Sequence, residues 1–161
     1  TSATAPTMPT SYDYRRRIGS VLRESATIIA FTQDGDYFRR SASILDIDST
    51  NPGTAAVTRT LSVPTGVNVF ALVNAIAGNH ATLALRMYLS DLSANDEAPS
   101  LTAAPLAQAA VGASNYNGGA ASVAIRTNTS AQIRSRIDAS DASTTIRIAT
   151  LGWIDRRGRD A

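Results

Sequence analysis

The chain has 161 residues, a formal net charge of +2 and 43% hydrophobic residues, enough for one buried core without covalent staples. It has no cysteine, which excludes a disulfide scaffold, thiol catalysis and cysteine-ligated zinc. All fifteen basic residues are arginine against thirteen acids, too small an excess for phosphate-backbone binding, so no nucleic-acid partner is expected.

No run approaches the roughly eighteen apolar residues of a spanning helix, and no charged n-region precedes an apolar h-region of the signal-peptide kind. The chain is therefore expected to be soluble, with no membrane partner and no signal peptide. Arginine-only usage suits planar ion pairs in buried or intersubunit positions. GC-rich codon usage explains the same bias, together with the abundance of Ala, Ser and Thr.

Residues 1–13 open with TSATAPTMPT, rich in threonine and proline and without apolar periodicity. They read as an extended arm or linker, followed by a single domain over residues 14–161. The terminal Thr1 has the chemistry of an amine-activated nucleophile, but the arm offers it no packed site. From Tyr12 to Leu22 three arginines, Arg15, Arg16 and Arg17, run into a short apolar segment. The plain reading is a solvated charge run; the functional one is an anchor to an acidic partner surface or a neighbouring subunit.

Ala26 to Thr32 is rich in β-branched and aromatic residues, and an Asp34-Gly35 turn before Tyr37–Arg40 makes a hairpin. Ser43 to Ile47 reads as a short strand ending at Asn51-Pro52-Gly53. The Asp46-x-Asp48-x-Thr50 spacing matches a phosphotransferase nucleophile loop, but that loop needs a parallel α/β sheet, and helical periodicity is lacking. Ala55 to Ser62 alternates Val57, Arg59 and Leu61 against Ala56, Thr58 and Thr60, then Pro64-Thr65-Gly66 turns the chain.

Val67 to Ser90 reads as the central hairpin, two apolar runs joined at Gly78-Asn79. The first run is apolar at nearly every position, which suits a strand covered on both faces. The second carries Leu83, Leu85, Met87 and Leu89 on one parity, the period of a half-buried strand.

Residues 90–119 are irregular. Asp91, Asn95, Asp96 and Glu97 lack the spacing of a calcium loop and read as a solvated loop. Pro99 and Pro105 argue against a long helix. Asn115, Tyr116 and Asn117 form an exposed loop tip, the candidate ligand or receptor contact.

Ser122–Thr127 and Ala131–Asp138 flank a turn at Asn128-Thr129-Ser130, the second with a polar face of Gln132, Arg134 and Arg136. Thr144 to Ile154 is the last and most apolar strand. The charges after it suit pairing between chains. The candidate subunit interface is thus Arg15, Arg16, Arg17, Arg134, Arg136, Trp153, Asp155, Arg156, Arg157 and Arg159. His80 is the single histidine. Beside a turn it is expected at the surface, with no nucleophile elbow around it. No paired histidines and no Gly-rich phosphate loop are present, so no catalytic residue, cofactor or metal is expected, and the chain is not read as an enzyme. The expected fold is all-β, an antiparallel sandwich of jelly-roll type with about eight to ten strands.

Three stretches carry a resemblance: Tyr14-Arg15-Arg16-Arg17-Ile18-Gly19-Ser20-Val21, then Thr58-Arg59-Thr60-Leu61-Ser62-Val63-Pro64-Thr65-Gly66-Val67, then Trp153-Ile154-Asp155-Arg156-Arg157-Gly158-Arg159-Asp160. They resemble the RRIGS, LSVPxGV and WxDRRGRD stretches of tailed-bacteriophage and prophage virion proteins, in the C-terminal part of tail-fibre-like or unassigned structural proteins. The resemblance implies a virion location and a homo-oligomer, commonly a trimer. It also implies other virion proteins as partners and a host-surface glycan as a further one. The family continues upstream of the Thr/Pro arm, so it implies a fragment, a processed product or a short relative. Two alternatives stand beside a fibre or spike module: a capsid cement or head-fibre protein using its arm, and a non-viral carbohydrate-binding module.

Overall fold

The computed structural model describes residues 6–78, 80–82, 84–100, 102, 107–109 and 119–157, and every regular element in them is a strand. Residues 6–22 carry none; a turn closed by Tyr12 N donating to Pro9 O (3.2 Å) bends this stretch, with Ser11 at φ 74°. Strand β1 (Arg23–Glu24) pairs with β2 (Thr27–Ile28) across Ser25 and Ala26, whose φ values of 46° and 65° suit a tight two-residue loop. Strand β3 (Phe31–Asp34) pairs with the start of β4 (Tyr37–Thr50) across Gly35-Asp36, with Gly35 at φ 56°. The Asp-Gly hairpin forms as expected. Ala26–Thr32, however, is split between β2 and β3, and Ser43–Ile47 is the middle of one fourteen-residue strand.

The remaining strands are β5 (Val57–Thr60), β6 (Phe70–Gly78), β7 (Leu85–Ser90), β8 (Ala107–Ala109), β9 (Gly119–Arg126), β10 (Gln132–Ile137) and β11 (Thr145–Ile154). One sheet runs β3-β4-β11-β6-β9 and the other β5-β10-β7-β8, with every pairing antiparallel. From β4 onward successive strands alternate between the sheets, except for the neighbours β7 and β8. One hydrophobic cluster joins inward residues of both sheets, so the architecture is a β-sandwich.

The central hairpin does not form. β6 pairs with β11 and β9, whereas β7 pairs with β10 and β8 in the opposite sheet. The connection from β6 to β7 crosses the sandwich and is tied down on the far side, where Ala81 N donates to Asp141 Oδ2 (2.8 Å) and Arg86 N to Asp138 Oδ1 (2.7 Å). β9 and β10 likewise lie in different sheets, and Asn128 Oδ1 caps the crossing by accepting from Ser130 N and Gln132 N, each at 2.9 Å.

The period-2 readings hold over the described positions, with Leu83 lying outside them. Leu85, Met87 and Leu89 are buried with Arg86 and Tyr88 half-buried, and Ile133, Ser135 and Ile137 are buried opposite Gln132, Arg134 and Arg136. β6 is covered on one face only: Ala71, Val73, Ala75 and Ala77 point inward, whereas Asn74 and Ile76 are exposed. Its small inward side chains face larger ones on the other sheet, which is how a core with few aromatics is filled.

Candidate functional site

The two ends of the described chain meet around Phe38. Trp153 is fully buried and stacks on Phe38 with ring centroids 5.4 Å apart and planes 6° apart, while Phe31 closes the group at 6.1 Å from Trp153. Gly19 lies against the Phe38 ring, where an added Cβ would sit 2.7 Å from Cζ. Gly152 lies still closer, with an added Cβ 2.2 Å from the Phe38 carbonyl oxygen, so only glycine fits. Beside these rings Arg17 Nη2 donates to Asp155 Oδ1 at 2.5 Å, and Asp155 is fully buried. Asp155 Oδ1 also accepts from Arg157 N (2.8 Å), and Arg157 Nε faces Asp36 Oδ1 at 3.1 Å. Arg17 and Gly19 of the first stretch and residues 153–157 of the last thus form one clamp beside the β3–β4 turn.

The middle stretch is structural as well. Leu61, Val63 and Val67 are in the core, Ser62 N and Oγ donate to the Asp46 carboxylate (2.9 and 2.6 Å), and Arg40 Nη1 donates to Ser62 O (3.4 Å) and Glu24 Oε1 (3.0 Å). Asp46 occupies the register shift between the β4 and β11 ladders and also accepts from Thr150 Oγ1 (2.5 Å). Asp48 pairs with Arg147 Nε at 3.0 Å. The phosphotransferase-like spacing is therefore spent on a bulge and a cross-strand ion pair.

The outward faces of the two sheets differ. On the four-stranded sheet Arg134 Nη1 donates to Ala94 O (2.8 Å), Arg136 Nη1 to Asp96 Oδ2 (2.8 Å) and Arg136 Nε to Thr54 O (3.1 Å), stapling the 91–97 loop over β10. Asp91 Oδ1 holds that loop's own turn by accepting from Ser93 and Ala94. The Ser93 hydroxyl is the main reason its carboxyl sits below the usual carboxylate range. These carboxylates serve turn and staple bonds; among the described residues no group of three or more candidate ligands is placed to hold a metal. On the five-stranded sheet the outward face instead carries a shallow groove of about 430 Å³ lined by Leu45, Ile76, Ala120, Ala149 and Arg147, among others. Leu45 and Ile76 are 50% and 40% exposed there.

A second uncovered apolar surface lies on the N-terminal segment, where Tyr14 is 92%, Ile18 78%, Tyr12 66% and Val21 48% exposed. Arg15 and Arg16 between them are exposed too. The segment is rooted at one point by Arg17 and leaves its apolar side chains in solvent.

Several expected sites are corrected. His80 is buried rather than on the surface, with Nδ1 accepting from Thr82 N (3.2 Å) and lying 3.4 Å from Asp141 Oδ2. Asp141 is held well below the usual carboxylate range, first by the Ala81 N–H and then by the Ser143 and Thr144 hydroxyls. With its oxygens so engaged it serves as a loop anchor, not as an acid or base. Trp153 and Asp155 do not present an intersubunit face, since both are enclosed by their own chain; flanking charges misplaced them at the surface. Arg17, Arg134, Arg136 and Arg157 bond within the chain through their guanidinium groups, and Arg15 and Arg16 are exposed; the Arg156 residue is exposed as well but is not without an interaction. Asn115, Tyr116, Asn117 and Arg159 lie outside the described residues.

The sequence does not reveal the groove, because Ile76 sits in a run that reads as covered on both faces and Leu45 in a short strand with no face assigned; the sheet gives both an outward position. Arg59 lies on the inward parity of β5, donates to Ser135 Oγ at 3.0 Å and has its pKa lowered by burial. No family model and no curated protein matches the chain.

Proposed function

We propose that the chain is a structural component of a tailed-bacteriophage virion: an oligomeric fibre- or spike-type β-module, a homotrimer, that decorates the particle or contacts the host surface. The observation that carries this reading is the N-terminal segment, an apolar and arginine-bearing strip rooted by a buried ion pair yet left uncovered. Exposed apolar patches of this kind mark surfaces that are buried against a partner. The sheet orders β4-β11-β6-β9 and β5-β10-β7-β8 support a jelly roll, the order that two interlocked Greek keys produce. The resemblance of the three motif stretches supports the virion setting, and their use in clamp and core makes that resemblance one of fold rather than of ligand.

The module builds and binds rather than catalyses. Its best-placed carboxylates, Asp46, Asp138, Asp141 and Asp155, are engaged in structural bonds. A capsid cement or head-fibre role draws on the same segment, laid across a neighbouring subunit of the shell. A carbohydrate-binding module draws no support from Trp153, whose ring is buried and unable to form a sugar platform.

Imaging purified particles with gold-labelled antibody against this chain tests the reading. Label on the tail or its fibres is expected; label spread over the head favours the cement role; particles without label overturn the virion assignment.

A further inference from the structure

Three arginines stand side by side in the N-terminal segment, and the fold treats them differently. Arg17 is pinned, its Nη2 donating to the fully buried Asp155. Arg15 and Arg16 are exposed, as are Asp13 and Tyr14 before them, and none of the four makes a hydrogen bond or an ion pair among the described residues. The backbone of residues 13–16 belongs to no strand. Nothing holds it until Arg17.

That combination is confined to one place. From Arg23 to Arg147 every arginine lies in a strand, with its backbone paired in a sheet. Past β11 the Arg156 residue is exposed, but the peptide bond that follows it is fixed by Arg157 N donating to Asp155 Oδ1 (2.8 Å). An endopeptidase takes its substrate as an open stretch of several residues, so a bond must be both exposed and free of backbone hydrogen bonds before it is cut in the folded state. Among the described arginines only Arg15 and Arg16 meet both conditions.

We propose that Arg15 and Arg16 form a processing site for a trypsin-like, arginine-specific serine endopeptidase that acts on the folded chain. The free guanidinium enters the acidic pocket by which such an enzyme chooses its substrate, and the exposed residues before it lie along the cleft. Water adds across the Arg15–Arg16 or the Arg16–Arg17 bond, leaving a carboxylate on the released segment and an α-amino group on the part that stays. Arg17 is spared. Its guanidinium cannot fill that pocket while it bonds Asp155, and Gly19, two residues on, is packed against the Phe38 ring. The cut takes Tyr12 and Tyr14 away from Ile18 and Val21 and leaves Arg17, the aromatic stack and the sandwich in place. Its effect on assembly rests on the oligomeric part of the reading above: a strip buried against a sister copy is shielded, so assembly and processing compete.

Limited trypsin digestion of the full chain, read by fragment mass, tests the site. It is run on chain diluted until its native mass is that of one copy, and again at a concentration where it assembles. Single copies are expected to lose the segment ending at Arg15 or Arg16, while residues 17–157 stay joined with an unchanged circular-dichroism spectrum. Arg15→Gln with Arg16→Gln changes two exposed side chains that make no bond, so the variant is expected to fold as the wild type does and to be cut in this segment at least about tenfold more slowly. A first cut between residues 17 and 157 overturns the proposal, as does a folded single copy whose segment resists trypsin as long as its sandwich does. So does a double variant cut after Arg17 at the wild-type rate. An assembled chain cut as fast as single copies keeps the site and overturns only the burial of the strip, and a chain that never assembles overturns only the oligomeric reading.

Discussion

The clamp around Phe38 and the groove around Ile76 lie on the same five-stranded sheet and are finished in opposite ways. At the clamp Phe38 and Trp153 are buried and stacked, Phe31 is half-buried and tilted against both, and a buried carboxylate is matched by Arg17. At the groove leucine and isoleucine face outward over alanines, with a single cross-strand ion pair at the rim. Both regions are apolar, so composition does not separate them. What separates them is whether the chain covers its own surface. The clamp is a folding device and the groove is surface that the chain leaves open, so substitutions should separate the two: folding lost at one, folding kept at the other.

The largest expected effect is at Gly152. A methyl group there meets the Phe38 backbone, which cannot move without breaking the β4–β11 ladder, so Gly152→Ala is expected to abolish folding, read as loss of the cooperative unfolding transition. Trp153→Ala comes next, with a loss of about 3–5 kcal/mol in denaturant unfolding from the emptied stack. Asp155→Asn leaves the Arg17 guanidinium without its counter-charge and is expected to cost about 3 kcal/mol. A cost below about 1 kcal/mol would mean that the N-terminal segment is not held by this pair.

Smaller effects sharpen the contrast from the other sheet. Arg136→Ala frees the 91–97 loop from a part-exposed staple, with an expected loss of at most about 1 kcal/mol and no change in assembly mass. Asp141 gives the smallest effect and a defined pH window. Its folded-state pKa is depressed, so its contribution is present above the unfolded value of about 4 and is lost as pH falls below that toward the folded value. Asp141→Asn is expected to lower stability slightly through the neutral region and to converge on the wild type as pH falls below about 4, so that the acid limb flattens, as measured by thermal unfolding across pH.

Local pattern was enough for the all-β class and for which parity of β7 and β10 faces inward, because alternation records a strand's own environment. It was not enough for pairing. Gly78-Asn79 has hairpin chemistry, but the six residues between β6 and β7 suffice to cross the sandwich, and the bonds that hold the crossing come from Asp138 and Asp141, far along the chain. The site divided in the same way. Arginines beside Tyr14 marked a segment that the fold leaves exposed, but charges around Trp153 and Asp155 masked the deepest part of the core. A carboxylate two residues from a buried tryptophan looks solvated until Arg17 is placed next to it. Leu45 and Ile76 became visible as a surface only once the sheet assigned their faces.

The central claim is that surfaces left uncovered in one copy are closed by others, and the native mass of the wild-type chain at micromolar concentration tests it most directly. Three copies per assembly, falling apart when Tyr14→Asp and Ile18→Asp are introduced together, is the predicted result. A wild-type chain that remains a single copy, with Tyr14 and Ile76 as accessible as they are here, would contradict it.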